Sequence, residues 1–203
     1  MKRRGFLKFN DLAPDVELRT VEDTPLLLSS LWEGKVLVLA FTRHFGCPQC
    51  KEMLDQLTQL KPELADKGLS LAVVTQGTPE ETKAFCGERI PGVVCLSDPA
   101  RKGYRAYGLS RGRLSQTVLS LRVLRSNRDL QKRKGWKPEL PPEGQDAFQM
   151  AGTFIIGPDG RIRLPYYSND IADHPPVELL LGGVMGMGWD KSFEGPIEPG
   201  EAG

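Results

Sequence analysis

The feature that most constrains this chain is a junction. "KVLVLAFT" (35–42) is a near-continuous apolar run, the mark of a strand covered on both faces. It leads through Arg43-His44-Phe45-Gly46 into Cys47-Pro48-Gln49-Cys50, after which Leu54, Leu57, Leu60 and Leu64 recur at three- and four-residue intervals. That spacing predicts a helix over 47–64 with one apolar face. Pro62, inside the pattern, predicts a kink or an end. A buried strand that runs into a helix starting on two cysteines leaves few folds open.

The remaining segments extend the same scheme. "LSLAVVT" (69–75) reads as a second buried strand, and Thr78-Pro79-Glu80-Glu81 as the start of a helix to about Glu88. Thr caps such a start, proline suits its first turn, and the acids face the positive end of the helix. "GVVCLSD" (92–98) is a third strand, followed by a short helix from Pro99 to Tyr107 that ends at Gly108. "GTFIIG" (152–157) and "RIRLPYY" (161–167) flank Pro158-Asp159-Gly160, a turn between two strands, and "PPVELLLGG" (175–183) is a closing helix. Strands alternating with helices, then a hairpin, indicate an α/β fold with a central mixed β-sheet flanked by helices. The 203 residues suit one domain over 1–190. It carries an insertion at about 109–150, helical around Ser115–Arg125 and loop-like through Pro138, Pro141 and Pro142. Residues 191–203, rich in Gly, Pro and Glu, read as a loose tail.

Charge and hydropathy exclude several classes. No apolar run approaches the length of about 18 residues that a membrane span needs. Lys2-Arg3-Arg4 is followed by Asn10, Asp11, Pro14 and Asp15 rather than by an apolar export segment, so the chain reads as cytoplasmic. Between Arg101 and Lys137 twelve Lys and Arg residues face one acid, Asp129. Aromatic side chains do not interleave with them as a nucleic-acid stacking platform requires. The run reads as a solvated surface balanced by acids toward the C-terminus, such as Glu178, Asp190 and Glu194. "GGVMGMGW" (182–189) follows a helix rather than a strand and is no dinucleotide fingerprint.

The chemistry rests on cysteine spacing. Cys47 and Cys50 are close, while Cys86 and Cys95 lie singly, one within a helical pattern and one within an apolar strand. A thiolate at a helix N-terminus faces unpaired backbone N–H groups, and its pKa falls from about 8.5 by a unit or more. Arg43, His44 and Lys51 add positive charge nearby. On this reading Cys47 is an exposed nucleophile and Cys50, one turn in, closes a disulfide with it. Two other readings stand beside it. A structural zinc site would need four ligands drawn from these thiols, His44 and His174. An inert buried pair would be ordinary core packing, the reading we adopt for Cys86 and Cys95.

The chain resembles peroxiredoxin-like members of the thioredoxin superfamily, in the AhpC/TSA-like antioxidant group. The resemblance covers roughly residues 10–185. It rests on Leu12-Ala13-Pro14-Asp15, on Phe41-Thr42-Arg43 before Gly46-Cys47-Pro48-Gln49-Cys50, and on Leu96-Ser97-Asp98-Pro99, Tyr107-Gly108-Leu109 and Gln149-Met150-Ala151-Gly152-Thr153-Phe154. It implies a thioredoxin-like fold, with Cys47 reactive, Cys50 its disulfide partner, and Arg43 and Thr42 in support. Two positions depart from the pattern. His44 stands three residues before Cys47, where typical peroxiredoxins place Thr or Ser. Ala151-Gly152 stands where they carry Arg and where thioredoxins carry a cis-proline. The implied activity is thiol–disulfide exchange or peroxide reduction, with a thioredoxin-like or glutathione-dependent reductant and no bound cofactor or metal. A homodimer is compatible with it. The rival reading is a redox-sensitive interaction protein without turnover.

Overall fold

The computed structural model describes residues 5–117, 120–183 and 188–190. The expected tail over 191–203, the basic start at Lys2–Arg4 and the middle of "GGVMGMGW", residues 184–187, lie outside the described residues. Among the described residues, seven strands form one mixed sheet. They are β1 (Glu17–Thr20), β2 (Pro25–Leu27), β3 (Val36–Phe41), β4 (Leu69–Thr75), β5 (Val94–Ser97), β6 (Gly152–Ile156) and β7 (Ile162–Tyr167). The spatial order is β2-β1-β5-β4-β3-β6-β7. β3, β4 and β5 run parallel, and the strands outside them pair antiparallel. The helices are α1 (Pro48–Asp66), α2 (Pro79–Arg89), α3 (Lys102–Ala106), α4 (Leu114–Thr117), α5 (Leu121–Lys134) and α6 (Val177–Gly182).

β3 is central and buried at every position, which is why it reads as an unbroken apolar run. Its alternate side chains serve two cores. Leu37, Leu39 and Phe41 join Leu18, Tyr104, Tyr107 and Phe154 on one face. Val36, Val38 and Ala40 meet Leu54, Leu57 and Leu64 of α1 on the other. The expected elements are therefore present, with three corrections. α1 continues past Pro62 to Asp66, because Leu57, Leu60 and Leu64 stay buried against the sheet on either side of the proline. α5 runs to Lys134 and stops at Gly135, whose φ of 73° suits a glycine C-cap, so the insertion is more helical than the prolines suggest. β1 and β2, four- and three-residue strands at one end of the sheet, carry Glu17, Arg19 and Pro25 and give too short a pattern to read.

Candidate active site

The loop Thr42–Gly46 carries the chain from the end of β3 to the start of α1. Cys47 sits at its end with φ −85° and ψ 111°, the extended backbone of an N-cap, and Pro48 follows in the first turn. The Cys50 N–H donates to Cys47 Sγ at 3.4 Å, and the Arg43 N–H donates to Cys50 Sγ at 3.4 Å. Both sulfurs thus face backbone donors at a helix start. All four cysteines of the chain are free thiols in this structure.

Arg43 supplies the cation. Its Nη1 lies 3.3 Å from Cys47 Sγ. Its other nitrogens donate to main-chain carbonyls, Nε to Gln149 at 3.1 Å and Nη2 to Ala147. The Arg43 carbonyl accepts from Gln76 Nε2 at 2.6 Å, and Gln76 Oε1 accepts from the Asp146 N–H at 2.9 Å. The guanidinium is therefore clamped, 3% exposed, with its charge aimed at the sulfur. Thr42 lies one residue earlier. Its hydroxyl donates to the Val74 carbonyl at 3.2 Å, and its own carbonyl accepts from Tyr104 at 2.9 Å. It anchors the strand end from which Arg43 projects.

The expectation of an exposed Cys47 is corrected. Cys47 and Cys50 are each 1% exposed, because the second half of the insertion crosses over the loop. Glu139 N–H donates to the Gly46 carbonyl at 3.0 Å. A Cβ on Gly46 would stand 2.6 Å from the Glu139 carbonyl oxygen and 2.8 Å from that of Leu140, so this crossing demands glycine. Lys51 pairs with Glu139 at 3.3 Å, and Phe45 N–H donates to Gln145 Oε1 at 3.1 Å.

Electrostatics separate the two thiols. Burial pushes the Cys47 thiol up, but the hydrogen bond from the Cys50 side chain, the Arg43 charge and the Cys50 N–H outweigh it and bring the pKa down to about 6. Cys50 is held well above the usual thiol range by burial, by its hydrogen bond to Cys47 and by the negative charge there. The site thus pairs a thiolate with a thiol that keeps its proton. Two histidines stay neutral beside it. His44 falls to about 4 through burial and the charges of Arg43 and Lys51. Burial dominates at His174, which also falls to about 4, Asp173 opposing the shift and Arg43 adding to it. Among the described residues no three Cys, His, Asp or Glu side chains converge as metal ligands would.

Sequence reasoning missed the glutamines. Gln49, Gln76, Gln145 and Gln149 are all buried; the side chains of the first three bond to the cysteine loop, and the main-chain carbonyl of Gln149 accepts from Arg43 while its side chain donates to the Leu109 carbonyl. Their only sequence signals were that Gln49 stands between the cysteines and that Gln149 opens the last family-like string. Cys86 and Cys95, read as single, are neighbours across α2 and β5, their side chains in hydrogen-bonding contact. The basic insertion finds its acids elsewhere than expected. Arg133 pairs with Glu52 at 3.2 Å and Lys134 with Asp55 at 3.2 Å, both on α1. Arg111 meets Asp146 at 2.7 Å and Arg122 meets Asp173 at 3.1 Å.

A strand that delivers two cysteines to a helix start, in a mixed sheet flanked by helices, defines a peroxiredoxin-like protein of the thioredoxin superfamily. Residues 9–164 match the AhpC/TSA family, and the chain belongs to it. It is 27% identical to peroxiredoxin-like 2C of Bos taurus over 163 residues, 77% of this chain and 71% of the relative. It is 26% identical to the thioredoxin-like protein AAED1, chloroplastic, of Arabidopsis thaliana over 179 residues, 84% of this chain and 71% of that one. Peroxidoxin BcpB from Mycobacterium tuberculosis shares the fold, with a TM-score of 0.60 at 21% identity over 82% of this chain and 90% of that structure. Family membership supports a redox function. Among the described residues no helix is long and apolar enough to cross a membrane.

Proposed function

We propose that the protein is a peroxide-reducing thiol oxidoreductase, with Cys47 as the attacking sulfur and Cys50 as the resolving one. One observation carries this reading: the Arg43 guanidinium, clamped by two carbonyls, stands 3.3 Å from Cys47 Sγ. A fixed cation beside a helix N-terminus keeps the thiolate populated at neutral pH. The thiolate attacks the terminal oxygen of a hydroperoxide. An S–O bond forms, the O–O bond breaks, and the leaving alkoxide takes a proton to become an alcohol. Cys50 then attacks the sulfenic sulfur, giving the Cys47–Cys50 disulfide and water. A thioredoxin-like or glutathione-dependent donor restores the dithiol, as a reducing compartment such as the cytoplasm would allow.

Burial favours a small oxidant over a protein disulfide. A hydroperoxide reaches a covered sulfur through a slight opening, whereas a protein disulfide must bring a folded surface to it. The test is steady-state turnover with hydrogen peroxide, a lipid hydroperoxide and insulin disulfide in the presence of a thioredoxin or glutathione reducing system. Sustained consumption of a peroxide is expected, with insulin reduced far more slowly. A single stoichiometric burst, with no turnover, would make the protein a redox-sensitive binder instead.

A further inference from the structure

Besides the Cys50 thiol, the sulfur of Cys47 has two nitrogen donors near it, Arg43 Nη1 at 3.3 Å and the Cys50 N–H at 3.4 Å. Among the described residues it also has one side-chain oxygen within hydrogen-bonding range, Gln49 Oε1 at 3.6 Å. This amide is 2% exposed and cannot turn freely. Its Nε2 donates to Asn127 Oδ1 at 2.6 Å and to Ser126 Oγ at 3.4 Å, both on α5 of the insertion. The amide's donors are taken, so its oxygen is presented to the sulfur.

That placement is awkward for the thiolate alone. A carbonyl oxygen is an acceptor only, and beside an anionic sulfur it has nothing to accept. A buried acceptor left without a proton is costly. In the neutral thiol the Cys47 S–H donates to this oxygen; once the thiolate has formed, the contact becomes favourable again when a hydroxyl lies at the sulfur. Two species in the reaction bring one: the hydroperoxide that is attacked and the sulfenic acid that results.

We propose that Gln49 accepts the hydrogen bond of the substrate O–H and then of the Cys47 sulfenic acid, and that Asn127 is the positioning residue that sets its orientation. The inference rests on the peroxide reading above. In the step, Sγ bonds to the terminal peroxide oxygen and the O–O bond breaks; sulfur loses two electrons and the peroxide gains them. The hydrogen on that oxygen stays with it throughout, donated to Gln49 Oε1. The alkoxide departs beside Arg43 and is protonated by water. Because α5 belongs to the insertion, the segment that buries the cysteines also tunes them toward an oxidant with a hydroxyl.

The experiment compares two reagents on the full chain by stopped-flow fluorescence. Hydrogen peroxide carries the O–H; methyl methanethiosulfonate reacts with the same thiolate and carries none. Gln49→Leu should lower the second-order rate constant for peroxide by about tenfold, the effect of one lost hydrogen bond. Its rate with the thiosulfonate should hold or rise, which also shows that the site is folded. Asn127→Ala should give a smaller loss of the same kind, and Asn127→Asp, which keeps the acceptor for Nε2, should restore most of it. An unchanged peroxide rate in Gln49→Leu, or equal losses with both reagents, overturns the assignment of Gln49 and leaves the peroxide reading standing. A wild-type chain that reacts with the thiosulfonate and not with peroxide overturns both.

Discussion

Two pairs of thiols flank the same parallel strands, and they end in different chemical states. Cys47 and Cys50 stand at the start of α1, and Cys86 and Cys95 meet between α2 and β5. All four are buried free thiols. At the first pair, the hydrogen bond from Cys50, the Arg43 charge and a helix-start N–H together overcome burial, and the Cys47 thiol drops to about 6. At the second, the contact with Cys86 and then burial push Cys95 up, and among the described residues no cation offsets them. Cys86 lies late in α2, and its carbonyl accepts the Ile90 N–H at the helix's C-terminal end. Closeness of two cysteines is thus common to both. A fixed cation and the positive end of a helix distinguish the first.

The largest test of that contrast is removal of a sulfur. A few equivalents of hydrogen peroxide should strip two hydrogens from the intact protein, and Cys47→Ser should abolish this mass change. Cys86→Ala and Cys95→Ala should keep it. A mass change that survives Cys47→Ser and vanishes in Cys95→Ala would reverse the comparison.

The next test removes the cation. Arg43→Met should raise the Cys47 pKa by roughly one to two units, the usual effect of a close opposite charge. At neutral pH the thiolate fraction, and the peroxide rate with it, should fall by roughly two- to tenfold. In the wild type the rate should climb with pH through about 6 and level off above it, as the thiolate fills. Thiolate absorbance followed against pH checks both statements, and an unmoved midpoint in the variant would remove Arg43 from the account.

Burial, with the nearby positive charges, also leaves a mark on stability. His44 and His174 titrate near 4 in the folded chain, below the 6.5 of an unperturbed histidine. Between those values the unfolded chain binds more protons, so stability falls as pH falls from 6.5 to 4, by at most about 1.4 kcal/mol per unit for each histidine. The Cys47 shift adds stability that is complete above 9.0 and is lost as pH falls toward 6. Denaturant unfolding across pH measures this, and His44→Gln should flatten the acid limb.

The smallest effect belongs to the second pair. Cys86→Ala deletes one buried atom from the core and should cost about 1 kcal/mol. It should leave the peroxide rate and the Cys47 midpoint where they are.

Much of the frame was legible because its signals are local. β3 is apolar throughout because both its faces are buried, and α2 opens on a capping box between Thr78 and Glu81. The end of α5 had a signal too, Lys132-Arg133-Lys134 before Gly135, that the nearby prolines masked. β1 and β2 had none, since strands of three or four residues show little alternation. The glutamines around the cysteines were equally silent, because Gln is as common on surfaces as in sites and only its partners mark it.

Sequence alone determined the pairing of Cys47 with Cys50 at a helix start, since a strand's end, a proline in the first turn and a three-residue spacing are all short-range geometry. Tertiary structure decided how the pair behaves. Arg43 is aimed by the carbonyls of Ala147 and Gln149, and Gln49 by Asn127, more than seventy residues away along the chain. Burial by the insertion likewise brings together segments far apart in sequence. A thiol's pKa sums desolvation and the placement of charge through space, and neither quantity exists until the chain has closed around it.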